Sequence, residues 1–335
     1  SAPVYSRPWK KSRKQKVLSA KNPPPQKHMN RILLQLLGSP NVCSKKWIWQ
    51  QYDHMVMTDT LQVPGGDSAV VRIHGTKKAI AISADSKPRY CAADPEAGGV
   101  QIVAETWRNL TAVGATPLAI TDNLNFGNPE KKNIMGQFVG CVKGIKKACT
   151  KLKFPVVSGN VSFYNETNGL GILPTPVVGG VGILGDFRKH VSYGFEESGN
   201  TIMILGITRG HIGSSLYLKE IENNARGAPP KVNLNAEKQN GNFVRSLIEK
   251  KFITSCHDIS DGGIAITIAE MALAKGIGAT IELPKKKNDM PFYAWLFGED
   301  QSRYIIATKN AEAIRKKARN KNCLLYTSPS PRDRG

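Results

Sequence analysis

Two stretches place oxygen-bearing side chains directly after an apolar run. In "TDNLNFGNPE" (121–130) they are Asp122, Asn123 and Asn125; in "VVSGNVSFYNET" (156–167) they are Asn160 and Ser162, preceded by Gly159. Carboxylate and amide oxygens suit Mg²⁺, which keeps several waters and shares its ligands with nucleotide phosphates. A glycine lets backbone approach a phosphate closely. Each stretch has a simpler reading, an ordinary turn rich in Asn and Gly. Two of the same form at strand ends in one domain point to a ligand site, since α/β folds bind ligands at the ends of strands.

Two further stretches come later. "HDISDGGIAITIAEMA" sets Asp258 and Asp261 three apart before Gly262 and Gly263 and a helical pattern. An aspartate there can cap the helix, which accounts for one of the two. A glycine-rich helix start is also an anion site, and the carboxylates could hold a metal beside it. "FGEDQSR" adds Glu299, Asp300, Gln301 and Arg303 ahead of a strand; an exposed polar turn explains it equally well. "GVGILG" (180–185) has dinucleotide-fingerprint spacing, but its glycines fall inside a strand with no helix after it, so it reads as close packing. No phosphate-binding loop of the Gly-x4-Gly-Lys type occurs. The six cysteines include no Cys-x-x-Cys and no zinc spacing with histidine, and read as reduced core thiols.

These residues need strands and helices to hold them. "DSAVVRIHG" and "KAIAISAD" read as a hairpin, "GGVQIVAETWRNLTAVGA" and "MGQFVGCVKGIKKACTKL" as helices, and "TPLAITDNLNF", the buried run "FPVVSGNVSF" and "TPVVGGVGIL" as strands. Residues 1–40 form a basic arm or linker, 41–185 a first domain and 186–322 a second. The second reads as strand "TIMILGI", helices "GSSLYLKEI" and "FVRSLIEKK", strand "ITSCHDIS", helix "GIAITIAEMALAKG", strands "GATIEL" and "RYIIAT", and helix "AEAIRKKARNK". Residues 323–335 continue neither pattern and read as a non-native tail, with the natural sequence interrupted near Asn322. The net charge is +21, six of the basic residues lying between Arg7 and Lys16 and the rest scattered as solvated surface. That disfavours a nucleic-acid partner, because no basic stripe is interleaved with aromatics. No apolar run is long enough to span a bilayer and no signal peptide is visible, which points to the cytoplasm.

In order, "PRYCAADPEAGG", "NLTAVGATPLAITDNLNFGNPE", "VVSGNVSFYNET", "HDISDGG" and "FGEDQSR" closely resemble the phosphoribosylformylglycinamidine synthase family, in the second half of its small-type synthetase subunit. The resemblance covers roughly residues 1–322. It implies an AIR synthase-like fold of α+β and α/β type: an N-lobe whose half-barrel sheet with helices is completed by its counterpart, then a layered α+β C-lobe, here truncated. It implies ATP and Mg²⁺, and conversion of formylglycinamide ribonucleotide to the amidine with ammonia from a separate glutaminase subunit, a small accessory subunit assisting. Residue by residue, it implies ATP contacts for Asp122 and Gly159, a metal ligand in Asn160 and a substrate contact in Ser162. Asp258, Asp261, Glu299 and Gln301 match a second nucleotide or metal site, or serve nothing. The departure is large. The first half, with the catalytic histidines, has no counterpart here, and none of the six histidines sits in a matching motif. The chain alone is therefore expected not to catalyse, and its N-lobe sheet to expose an apolar face. Alternatives are another ATP-using relative (the aminoimidazole ribonucleotide or selenophosphate enzymes, thiamine monophosphate kinase), against which "SGNVSFYNET" and "NFGNPE" speak, or a basic nucleic-acid-binding module.

Overall fold

Strict alternation in Ala79–Ser86 turns Ala79, Ala81 and Ser83 inward and Ile80 and Ile82 outward. This strand lies within a six-stranded sheet of the computed structural model, which describes residues 4–19, 28–281, 290–321, 323 and 325–327. In chain order the first lobe holds α1 (Met29–Leu37), α2 (Lys46–Trp49), β1 (Thr60–Gln62), β2 (Ala69–Arg72), β3 (Ala79–Ser86), α3 (Pro88–Ala93), α4 (Pro95–Ala112), β4 (Thr116–Asn125), α5 (Lys132–Leu152), β5 (Val156–Ser162), the two-residue strands β6 (Glu166–Thr167) and β7 (Leu170–Gly171), and β8 (Thr175–Leu184). The sheet order is β1-β2-β3-β8-β4-β5, with β4 and β5 parallel and the other neighbours antiparallel.

Helices α4 and α5 cover one face. Phe126, Phe154, Leu110, Ile120 and Val178 close the core there. The two helices approach so closely that a Cβ on Gly144 would lie 2.1 Å from the Glu96 carbonyl oxygen. Backbone cannot yield as a flexible side chain can, so Gly144→Ala is expected to lower stability by about 1–3 kcal/mol in urea denaturation. The opposite face of the sheet is open: Ile82 pairs in register with Val181, and Ile80, Ile82 and Val181 are all exposed on it.

The second lobe holds β9 (Thr201–Leu205), α6 (Leu216–Ile221), α7 (Leu234–Glu249), β10 (Ser255–Asp258), α8 (Gly263–Lys275), α9 (Phe292–Phe297), β11 (Tyr304–Thr308), α10 (Ala311–Asn320) and β12 (Leu325–Thr327). Its sheet is antiparallel, in the order β10-β11-β9-β12. Among the described residues no helix is long and apolar enough to cross a membrane.

Several expectations change. Helix α1 lies within the stretch read as an arm, because Met29, Ile32 and Leu36 fall on one face and bury against α6, α8 and α9. The strand β5 is not buried: it is the edge of the sheet, and Val157 is 71% exposed. An apolar run by itself does not distinguish a central strand from an edge one. Gly278–Ile281 form no strand, and the rest of "GATIEL" lies outside the described residues. Leu325–Thr327, in the segment read as a tail, pair with β9, while 328–335 lie outside the described residues.

Candidate nucleotide site and the buried seam between lobes

The two oxygen-rich stretches are brought together by parallel pairing. Asp122 stands opposite Gly159, Asn123 opposite Asn160 and Asn125 opposite Ser162. They lie inside the strands rather than in loops beyond them. Alternation then divides them between two faces. Asn123, Asn125, Asn160 and Ser162 share the open face with Thr121 and Ser158, whose hydroxyls are 2.8 Å apart. Asn160 Nδ2 donates to Asn123 Oδ1 at 3.2 Å, which turns the Asn160 Oδ1 away from its neighbour. Ser162 Oγ lies against the Asn165 side chain, 3.3 Å from Oδ1.

Asp122 points the other way, toward α5. A Cβ on Gly159 would lie 2.1 Å from Asp122 Oδ1, so the carboxylate occupies the space that a side chain at 159 would need. Partial burial raises the Asp122 pKa above its usual range. Asp122 and Asn160, one residue out of register on neighbouring strands, therefore present their oxygens on opposite faces and cannot ligate the same ion. The open face carries neutral oxygens only. Such a donor set suits a magnesium ion whose charge is balanced by phosphate oxygens rather than by the protein.

Asp258, Asp261, Glu299 and Gln301 do come together, in a buried seam between α3, α4 and the second lobe. Each is already engaged. Arg108, with a fully buried side chain, donates to Glu237 at 2.9 Å, to Asp258 at 3.1 Å and to Gln301 at 2.8 Å. Lys87 Nζ lies 2.8 Å from Asp261 and 3.0 Å from Glu105. Neither aspartate caps α8. Gly262 stands at the cap, and its N–H donates to Glu299 Oε1 at 2.9 Å, as does that of Leu216 at 2.8 Å. The protein's own carboxylate thus takes the place at the helix start where an external anion was expected. The motif "GEDQSR" is no exposed turn: Glu299 and Arg303 are wholly buried, and Asp300 Oδ2 accepts from the backbone N–H groups of Arg209, Gly210 and His211.

Beside this seam, Asp67, His257 and Asp258 offer ligand atoms within 4.8 Å of one another. His257 Nδ1 lies 3.0 Å from Asp67 and Nε2 3.3 Å from Glu270. Burial pulls the imidazole pKa down, but the Asp67 carboxylate and Glu270 outweigh it and hold the group well above its usual range. A protonated imidazole donates from both nitrogens and leaves no lone pair for a metal.

Burial pushes Glu299 up to about 7, with Asp261 adding to it and Arg89 opposing. Its folded pKa therefore lies above its ordinary 4.5. Between those values the folded chain holds a proton that the unfolded chain has released. Its contribution is full below the lower value and is lost as pH rises through about 7. One such proton gives a slope of about 1.4 kcal/mol per pH unit. Glu299→Gln keeps the acceptor for Gly262 and Leu216, and is expected to flatten the fall in urea stability between pH 5 and 7. An unchanged slope would place the titration elsewhere.

The residues that complete the seam, Lys87, Arg89, Tyr90, Glu105, Arg108 and Glu237, were not read from the sequence. In "QIVAETWRNL" the polar positions look like the wet side of an amphipathic helix. Only the second lobe, packed on that side, reveals them as buried: among α4 residues, Gln101, Glu105 and Arg108 are all inaccessible or nearly so. The spacing of Gln101, Glu105 and Arg108 at four and three residues was the available signal for one polar face.

Residues 65–184 match the model of the AIR synthase related protein N-terminal domain, and residues 197–325 that of the C-terminal domain. The two matches follow one another and take in most of the chain, which belongs to the AIR synthase related family. Within it, similar curated relatives are PurL subunits. The phosphoribosylformylglycinamidine synthase subunit PurL of Parvibaculum lavamentivorans is 53% identical over 314 residues, which is 93% of this chain and 42% of that protein. The PurL of Azorhizobium caulinodans is 53% identical over 319 residues, 94% of this chain and 43% of its own. The chain thus spans less than half the length of the curated relatives it matches. Among solved structures, T. maritima PurL complexed with FGAR superposes with a TM-score of 0.71 at 18% identity, over 89% of this chain and 48% of that one. T. maritima PurL complexed with ATP gives a TM-score of 0.59 at 21% identity, over 86% and 40%. At those identities the likeness is one of fold.

Proposed function

We propose that this chain is part of an ATP-dependent carbon–nitrogen ligase, phosphoribosylformylglycinamidine synthase, and supplies one nucleotide-and-substrate face of its synthetase subunit. The observation that carries this is the parallel register of β4 and β5, which sets Asn123 beside Asn160 and Asn125 beside Ser162 on one exposed surface. In this reading Asn160 holds a magnesium ion through its outward Oδ1, and Ser162 donates to the ribonucleotide. Gly159, on the edge strand, and Asp122, on its neighbour β4, contact ATP from the other side of the sheet. Magnesium, when bound, offsets negative charge on the phosphate oxygens. The chain's own task is to hold phosphate and amide in line, since phosphoryl transfer is governed chiefly by positioning and electrostatics. The overall reaction activates the formylglycinamide oxygen by phosphorylation, and ammonia then displaces phosphate.

The roles of partners follow the PurL relatives. A complementary half completes the synthetase, and a glutaminase subunit delivers ammonia with a small accessory subunit, in the cytoplasm. The Asp258, Asp261, Glu299 and Gln301 cluster serves as an internal salt-bridged seam in the place of a second nucleotide. With ammonia, ATP and formylglycinamide ribonucleotide, the chain alone is expected to show no turnover, and turnover to appear when the complementary half of a PurL relative is added. Turnover without that half would overturn the reading. Ser162→Ala should then weaken the apparent substrate affinity of the reconstituted enzyme by about tenfold, the worth of one hydrogen bond to a charged ligand, with ATP affinity unchanged.

A further inference from the structure

The lysines that look scattered in the sequence are collected by helix geometry. Helix α5 and the residue after it carry Lys132, Lys143, Lys146, Lys147, Lys151 and Lys153, with no Asp or Glu among them. Spacings of three and four residues put Lys143, Lys146, Lys147 and Lys151 on adjoining faces of one helix. Together with Lys153 and with Lys238 of α7 they line an open groove of about 1120 Å³ between α5 and α7, and the amides of Asn233, Asn235 and Asn242 line it too. Among the described residues none of these six lysines makes an ion pair. Lys143 Nζ instead lies 4.9 Å from the ring of Trp9.

The N-terminal arm extends the same surface. Lys10 N donates to the Lys132 carbonyl at 2.9 Å, which lays residues 9–13 along α5. Arg7 and Lys14 have acidic partners in Glu130 and Asp94. Lys10, Lys11 and Arg13 have none among the described residues. A run of like charges on one face is unfavourable unless an anion covers it.

We propose that this groove binds the phosphate backbone of a nucleic-acid strand, without sequence preference. From Lys143 to Lys153 the cations extend over about 15 Å of helix, longer than the phosphates of a single nucleotide. Lysine is depleted at protein–protein interfaces, whose anchors are aromatic residues and arginine, and the groove lining contains neither. Lysine is, however, a standard neutralising group for a nucleic-acid backbone. The exposed Trp9 beside Lys143 adds one ring on which a base can stack. The groove is on the outer side of the helices that cover the sheet, away from the face that carries Asn123 and Asn160.

The test is fluorescence anisotropy of a labelled single strand of about 20 nucleotides with the purified chain. Neutralising five or six phosphates predicts an affinity that falls about 10²-fold between 50 and 200 mM salt. The triple variant Lys146→Gln, Lys147→Gln, Lys151→Gln, all exposed positions, should lower the slope of log affinity against log salt by about 2. A control of equal charge, Lys77→Gln, Lys250→Gln, Lys316→Gln, should leave the slope unchanged. Equal losses in the two triple variants, salt-insensitive binding, or stronger competition by poly-glutamate than by unlabelled strand would each overturn the proposal.

Discussion

Arg108→Met is expected to destabilise the chain by about 3–5 kcal/mol, read as a lower urea midpoint, because it removes one partner of a buried ionic cluster and leaves the others charged and unpaired. Arg108 is the hub of the seam between lobes. Its guanidinium donates to Glu237 and Asp258 and to the Gln301 side-chain oxygen as a third partner. Its side chain has no surface open to bulk solvent. Burial works against the charge, but Glu237 and Asp258 outweigh it and raise its pKa above the usual arginine range, so it stays a cation. The compound variant Arg108→Met, Glu237→Gln, Asp258→Asn removes the orphaned charges as well and should recover a large part of the loss. If the single variant proved as stable as the parent, the seam would not be what joins α4 to the second lobe.

Gly159→Ala is expected to lower the affinity for Mg–ATP by about 10²-fold, as small displacements within a binding constellation do. The added methyl would meet the Asp122 carboxylate at 2.1 Å, and either that side chain or the edge strand must move. Movement of the strand disturbs the register that sets Asn123 beside Asn160, and movement of the side chain shifts the Asp122 carboxylate itself. A companion separates the steric cost from the chemical one. In Asp122→Ala, Gly159→Ala the clash is gone, so the stability of the parent should return while nucleotide affinity stays low. Full recovery of affinity in that double variant would mean that the Asp122 carboxylate does not touch the nucleotide.

The sequence exposed the elements well where a single period decided them. The alternation of β3 and the long stripe of α5 were legible, as were the glycines of β8 that belong to a strand and not to a nucleotide loop. The two candidate stretches were also legible as a pair, because both follow an apolar run. Which of their residues stand side by side was not, since it depends on the register of β4 against β5, which no local pattern encodes. β5 looked buried because its valines are apolar, whereas its place at the edge is a property of the whole sheet. The seam escaped for a related reason: Arg108 and Glu105 look like solvated helix positions until a second lobe covers them. The lysines of α5 and α7 show the converse, since charges far apart in sequence become one surface only after the helices pack.

The central claim is that the β4–β5 face holds nucleotide phosphates through a magnesium ion at Asn160. Equilibrium binding of a fluorescent ATP analogue, measured with and without Mg²⁺ on the parent chain and on Asn160→Ala, tests it most directly. Magnesium-dependent binding that weakens at least about tenfold in Asn160→Ala, the loss expected of one ligand, is the predicted result. Binding of equal strength in both chains, or binding indifferent to magnesium, would contradict it.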